Sequence, residues 1–222
     1  MESSVPSTRA AVADMDVDFL FDGPPDALLT LVLAHGAGAP MRSAFLAAVA
    51  RGVAAGGSRV ARFEFPYMRA RRAGGPRGAP DREPVLRESW LSAIAALGGG
   101  RRLAIGGKSL GGRIASMVAD EAGVRGLVCL GYPFHPPGKP ERLRTKHLEA
   151  LATPALIVQG TRDQFGSRED VAAYRLSSSI RIAWIEDGDH SFKPRKSSGR
   201  TEAGNLGEAI ARVREFLETL GP

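Results

Sequence analysis

Cysteine occurs once in the 222 residues, at Cys129, so no internal disulfide can form. A disulfide-stapled secreted scaffold is thereby excluded. The thiol stands in Leu127-Val128-Cys129-Leu130, an apolar setting that reads as a buried strand, where cysteine behaves as a small hydrophobe. No strand-to-helix turn follows it, which argues against a catalytic thiol. Long apolar runs are also missing. The longest, from Ala27 to Ala34, falls far short of the roughly 20 residues a membrane-spanning helix needs. The opening residues from Met1 to Ala10 hold no apolar stretch behind a basic start, so no secretory signal is expected and a cytoplasmic location follows. Histidine is scarce, with 4 residues, and no metal-ligand spacing is present. No metal and no cofactor are expected, and no membrane partner.

What is present is the composition of a globular chain: 43% hydrophobic and 24% charged residues, enough for one large core. The formal net charge of +6 raises the question of a polyanionic partner. Arginine is dispersed along the chain rather than gathered in a block, so no nucleic-acid partner is expected. Residues 1–14 read as a loose leader and 15–222 as a single domain, with no internal repeat.

Short apolar runs alternate with amphipathic stretches. Strands are expected at Val17 to Phe21, Leu28 to Ala34, Arg59 to Phe65, Leu103 to Ile105, Gly126 to Leu130, Ala155 to Gln159 and Ile180 to Ile185. Helices are expected at Met41 to Ala55, Val85 to Leu97, Leu110 to Asp120, Arg142 to Leu151, Arg168 to Leu176 and Glu202 to Leu220, and a long loop from Pro66 to Pro84. This alternation predicts an α/β fold with a mainly parallel sheet and helices on both faces. Ligands bind such sheets beyond the carboxyl ends of the strands, so reactive side chains just after strands matter most.

Gly107-Lys108-Ser109-Leu110-Gly111 matches the nucleophile elbow pattern G-x-S-x-G and lies between an expected strand and an expected helix. A sharp turn there lifts the serine hydroxyl above the sheet edge, and small neighbours are required on both sides. A phosphate-binding loop would need glycine at position 102, where Arg102 stands. A dinucleotide fingerprint starting at Gly36 would need glycine at 41, where Met41 stands. The plain alternative is a glycine-lined helix–strand contact with an incidental serine.

A serine hydroxyl needs a base. His190, in Gly188-Asp189-His190-Ser191-Phe192, follows the last expected strand and is the only late histidine. His135 and His147 lie in a Pro-rich loop and a charged segment, and His35 reads as a brace for its own loop. The acid should lie between serine and histidine in the chain. Asp163, after the strand Ala155 to Gln159, meets that demand, with helix capping or a salt bridge to Arg162 as its plainer use. Asp187 and Asp189 compete but stand too near His190 in sequence to face it. The oxyanion donors are expected to be the N–H groups of Leu110 and of Ala37, the latter in His35-Gly36-Ala37-Gly38.

These stretches, together with Arg62-Phe63-Glu64-Phe65-Pro66-Tyr67-Met68 and Gly106-Gly107-Lys108-Ser109-Leu110-Gly111-Gly112-Arg113, resemble the small α/β-hydrolase-like family that includes testis-expressed protein 30 and the hydrolase-like domain of NSL complex subunit 3. More loosely they resemble dienelactone hydrolases. The resemblance implies an α/β-hydrolase fold without a sizeable cap, a catalytic-looking set at Ser109, Asp163 and His190, and no particular substrate.

Arg69, Arg71, Arg72, Arg77 and Arg82 crowd the segment from Pro66 to Pro84. Arg71 and Arg72 are candidates for gripping an acidic substrate through the forked guanidinium. Pairing of these arginines with Asp81, Glu83 and Glu88 is the plainer use. The leading expectation is a carboxylesterase-like or thioesterase-like serine hydrolase acting on a small ester or thioester. The alternative is a non-catalytic interaction module on the same fold.

Overall fold

The structure is a computed structural model that describes residues 17–221; the leader expected at 1–14 lies outside the described residues. Seven strands form one sheet in the order β1-β3-β2-β4-β5-β6-β7. They are β1 (Leu20–Asp22), β2 (Thr30–Ala34), β3 (Arg59–Phe63), β4 (Leu103–Lys108), β5 (Gly126–Leu130), β6 (Ala155–Gly160) and β7 (Ile180–Ile185). Only β1 runs antiparallel to its neighbour. The helices are α1 (Ala44–Ala54), α2 (Pro66–Arg72), α3 (Glu83–Ala96), α4 (Leu110–Val118), α5 (Arg168–Ala172) and α6 (Glu202–Thr219).

The central strands are apolar on both faces because helices cover both. In β2, Val32 and Ala34 join the layer containing Trp90 and Ile114, while Leu31 and Leu33 join the layer containing Val49, Val213 and Phe216. Side chains alternate across a strand, so one continuous apolar run feeds two cores. Trp90 of α3 is fully buried, meets Phe63 edge-on at 4.8 Å between ring centroids, and donates its indole N–H to the Gly111 carbonyl. The helix carrying Gly111 is thereby tied to α3.

The chain leaves β2 toward β3 on one side and later returns to place β4 on the other. Strand order therefore reverses between β2 and β4, where a crevice opens above the carboxyl ends. Ala34 pairs with Gly107 at that point. The loops bearing His35 and Ser109 thus emerge side by side.

Three elements depart from the sequence expectation. The segment after Pro66 is helical through Arg72 before it becomes a loop. Pro66 stands at the first turn of α2, where its missing N–H and fixed φ suit a helix start. The stretch from Arg142 to Leu151 forms only a short 3-10 turn at Lys146–Glu149. Its backbone is claimed from outside: Arg144 N–H donates to the Phe134 carbonyl, and the Leu148 carbonyl accepts from Ser177 N–H. The third strand stops at Phe63 rather than Phe65, because Phe65 N–H donates to the His35 ring. Elsewhere the observed bounds differ by a few residues, as element ends generally do.

Candidate active site

Ser109 sits between β4 and α4 with φ 49° and ψ −110°, a backbone conformation that L-residues rarely adopt. Such strain persists only where the surroundings over-determine it. Ser109 N–H donates to the Leu130 carbonyl at 3.1 Å, and its carbonyl accepts from Arg113 N–H at 2.9 Å. A side chain on Gly107 or Gly111 would run into the Ala34 carbonyl oxygen, so the elbow closes against β2 only because both positions are glycine.

His190 lies beyond β7 and Asp163 beyond β6. The imidazole Nδ1 and Asp163 Oδ2 are 2.7 Å apart. Asp163 is 1% exposed, and its other oxygen accepts from Phe165 N–H at 2.9 Å. The carboxylate is thus buried, multiply hydrogen-bonded and aimed at one imidazole nitrogen, leaving Nε2 for chemistry. Phe165 packs on the imidazole with 4.2 Å between centroids. Burial lowers the His190 pKa from its ordinary value, opposed by the hydrogen bond to Asp163. A neutral imidazole, ready to accept a proton, is favoured.

Ser109 and His190 line one cavity of about 310 Å³ with His35, Ala37, Phe45 and Phe165. Its walls are mainly apolar. His35 is a brace, as the sequence suggests: its Nε2 accepts from Phe65 N–H at 3.1 Å, so its Nδ1 carries the proton donated to the Gly36 carbonyl at 2.7 Å. Burial lowers its pKa as well. The Tyr67 hydroxyl adds bonds to the Gly36 and Ala37 carbonyls. The Ala37 loop is therefore held through its carbonyls. Leu110 opens α4, where N–H groups have no partner within the helix.

The remaining sequence candidates are placed elsewhere. Asp187, with φ 54°, is held by the Arg195 side chain, whose hydrogen bond brings its pKa down to about 2. Asp189 accepts from Ser191 and Lys193 N–H, shaping the His190 loop. His147 meets Ser116 Oγ, and His135 meets the Pro136 carbonyl. Cys129 is buried, and that burial pushes its thiol pKa up. Arg71 lies over the Tyr67 ring and donates to the Gly78 carbonyl. Arg72 pairs with Glu64 and Asp18. Neither arginine is among the residues lining the cavity with Ser109. Among the described residues no group of three His, Cys, Asp or Glu side chains is set to hold a metal ion. Nor is any helix there long and apolar enough to cross a membrane.

Two supporting residues escape sequence reading. Gln159, fully buried at the end of β6, bonds Tyr132 N–H, the Tyr132 and Gly166 carbonyls and Asp163 Oδ2. A polar residue ending an apolar strand run is the signal that marks it, since a buried amide must be satisfied. Glu64, 3% exposed, accepts from Met41 N–H, while Arg62 donates to the Met41 carbonyl. The Arg62-Phe63-Glu64 run thus clamps the chain just beyond the Ala37 loop.

Residues 27–218 match the family model described as an alpha/beta hydrolase domain. Among solved structures, the chain is similar to a dienelactone hydrolase from Anabaena variabilis, with TM-score 0.72, 19% identity and 94% of each chain covered. It is also similar to an alpha-beta serine hydrolase homologue from Coxiella burnetii, with TM-score 0.66, 20% identity, and 90% of this chain and 91% of that one covered. A third similar structure is Est1E from Butyrivibrio proteoclasticus bound to ferulic acid, with TM-score 0.68, 15% identity, and coverage of 92% and 95%. At these identities the likeness to solved structures concerns the fold, and the family match spans β2 to β7 and all six helices save the last residue of α6: this chain belongs to the alpha/beta hydrolase domain family.

Proposed function

We propose that this protein is a serine hydrolase, carboxylesterase-like or thioesterase-like, that cleaves small acyl substrates through Ser109, His190 and Asp163. One observation carries the reading: a buried carboxylate bonded at 2.7 Å to an imidazole that shares a cavity with a strained elbow serine. An incidental serine beside a helix–strand contact requires none of this.

In this mechanism Ser109 Oγ attacks the substrate carbonyl carbon while its proton passes to His190 Nε2. Asp163 stabilises the imidazolium and fixes its orientation. The carbonyl oxygen becomes an oxyanion, held by the Ala37 and Leu110 N–H groups. Collapse breaks the bond to the alcohol or thiol, which takes the proton from His190. Water then attacks the acyl-enzyme with His190 again as base, and Ser109 is regenerated as the acid departs. The cavity of about 310 Å³ suits a short acyl group. The finer kinship with testis-expressed protein 30 and NSL complex subunit 3 rests on the Phe-Pro-Tyr-Met and Gly-Lys-Ser stretches.

Fluorophosphonate labelling of wild type beside Ser109→Ala tests the proposal. Labelling that vanishes in Ser109→Ala is expected, with turnover of short p-nitrophenyl esters by wild type alone. Folded wild type that neither labels nor turns over would overturn it.

A further inference from the structure

Lys108 precedes the nucleophile and, with Leu110, is one of the two elbow residues whose type G-x-S-x-G leaves open. A lysine is ordinarily found with its ammonium in water. Here Nζ turns inward and donates to the His190 carbonyl oxygen at 2.6 Å. It also lies 5.7 Å from the centre of the Phe45 ring, within reach of a cation–π contact.

We propose that Lys108 is a positioning residue of this site: its ammonium ties the His190 main chain to the strand that carries Ser109 and holds a positive charge beside the imidazole. The proposal rests on the reading of Ser109 and His190 as nucleophile and base.

The geometry is built around this tie. Lys108 ends β4 opposite Leu130 of β5, and Gly131 follows directly. Gly131 has φ 67°, and a Cβ there would stand 2.7 Å from the His190 carbonyl oxygen and 2.9 Å from Lys108 Nζ. A side chain at 131 would force the lysine and the histidine loop apart. On its other side the histidine loop is held by Asn205 of α6, whose amide donates to the Phe192 carbonyl at 2.8 Å and to the Glu186 carbonyl at 3.2 Å. Asn205 anchors the loop to the helical layer, whereas Lys108 anchors it to the nucleophile strand.

Charge gives the tie a chemical consequence. The groups facing His190 are Asp163 from the β6 loop, Asp189 from its own loop and Lys108 from β4. Phe165 covers the ring, and His35 and Phe45 complete the cavity wall without a formal charge. Lys108 is the sole cation in that set and pushes the imidazole toward its neutral form, while the two carboxylates push the other way. Burial lowers the pKa of Lys108 itself to about 8, so it stays charged through the acid range in which His190 titrates.

The test is the pH profile of kcat/KM on p-nitrophenyl acetate for wild type, Lys108→Met, Lys108→Gln and Lys108→Arg. Each protein is normalised by fluorophosphonate titration of Ser109, and its fold is checked by thermal melting. Removing the cation raises the His190 pKa, so the acid limb should move up by about half a pH unit or more in the neutral variants. Lys108→Arg restores the charge and should keep the wild-type midpoint even where kcat falls. A loss of packing alone would lower kcat without moving the midpoint. An unmoved acid limb in whichever neutral variant folds, with Ser109 still labelled, overturns the role of Lys108 and leaves the hydrolase reading standing. Equal shifts in the Arg and neutral variants overturn it too. Absence of Ser109 labelling in wild type sinks the hydrolase reading itself.

Discussion

Gln159 Nε2 donates at 2.9 Å to Asp163 Oδ2, the same carboxylate oxygen that meets His190 Nδ1. The amide also reaches across to Tyr132 and Gly166, so a single side chain holds the Asp163 carboxylate and staples the β5 loop to the β6 loop. Asp163 is positioned by a fully buried neighbour rather than by solvent or surface charge.

Gln159→Leu should therefore weaken both fold and catalysis. The substitution keeps roughly the volume but leaves the Tyr132 N–H and a carboxylate oxygen short of partners, at a cost of about 2–4 kcal/mol. The His190 ring then loses its fixed orientation, and kcat/KM should fall about tenfold or more. Urea unfolding and ester kinetics on the same preparation check this. A variant as stable and active as wild type would show that Gln159 is a passenger.

The histidines give the molecule a signed pH dependence. Burial lowers the pKa of His35, His147 and His190 from the ordinary 6.5. A group with a depressed folded-state pKa binds fewer protons folded than unfolded between that value and 6.5, so stability is fully present above pH 6.5 and drains as pH falls through the folded values. The melting temperature should thus decline on going from pH 7.5 to 5. In the hydrolase reading the active base is neutral His190, so the acid limb of kcat/KM should have its midpoint below 6.5. A midpoint above 6.5 would mean that the Asp163 and Asp189 charges outweigh burial.

Much of this was legible in the sequence, and the remainder was hidden for physical reasons. The alternating apolar and amphipathic runs mark the strands because parallel strands are buried on both faces. The order of Ser109, Asp163 and His190 is visible because each follows a strand. Helix α2 is obscured by Pro66 and three nearby arginines, a composition that suits a loop equally well, and only the helix-compatible place of Pro66 resolves it. Lys108, Gln159 and Glu64 are hidden because each joins its own segment to a partner distant in sequence: His190, Tyr132 and Met41. The Lys108 contact spans 82 positions. Periodicity carries no information about such pairings. The arginines at 71 and 72 show the converse: their chemistry is obvious, yet local partners at Gly78 and Glu64 engage them.

Ser109 stores backbone strain at the turn between β4 and α4. At φ 49° and ψ −110° a residue with a Cβ costs about 1–3 kcal/mol relative to relaxed backbone. Ser109→Ala removes the hydroxyl but keeps the Cβ, so the strain remains. Ser109→Gly removes both, and the relief exceeds the about 0.5–1 kcal/mol that glycine costs through the unfolded chain. Both variants should lose labelling and turnover, while Ser109→Gly should melt about 2–4 °C above Ser109→Ala, the shift expected for roughly 1 kcal/mol in a chain of this size. Differential scanning calorimetry of the two proteins decides it. An alanine variant that melts at or above the glycine variant would mean that the elbow relaxes once the hydroxyl is gone, and that the strain is not built into β4 and α4.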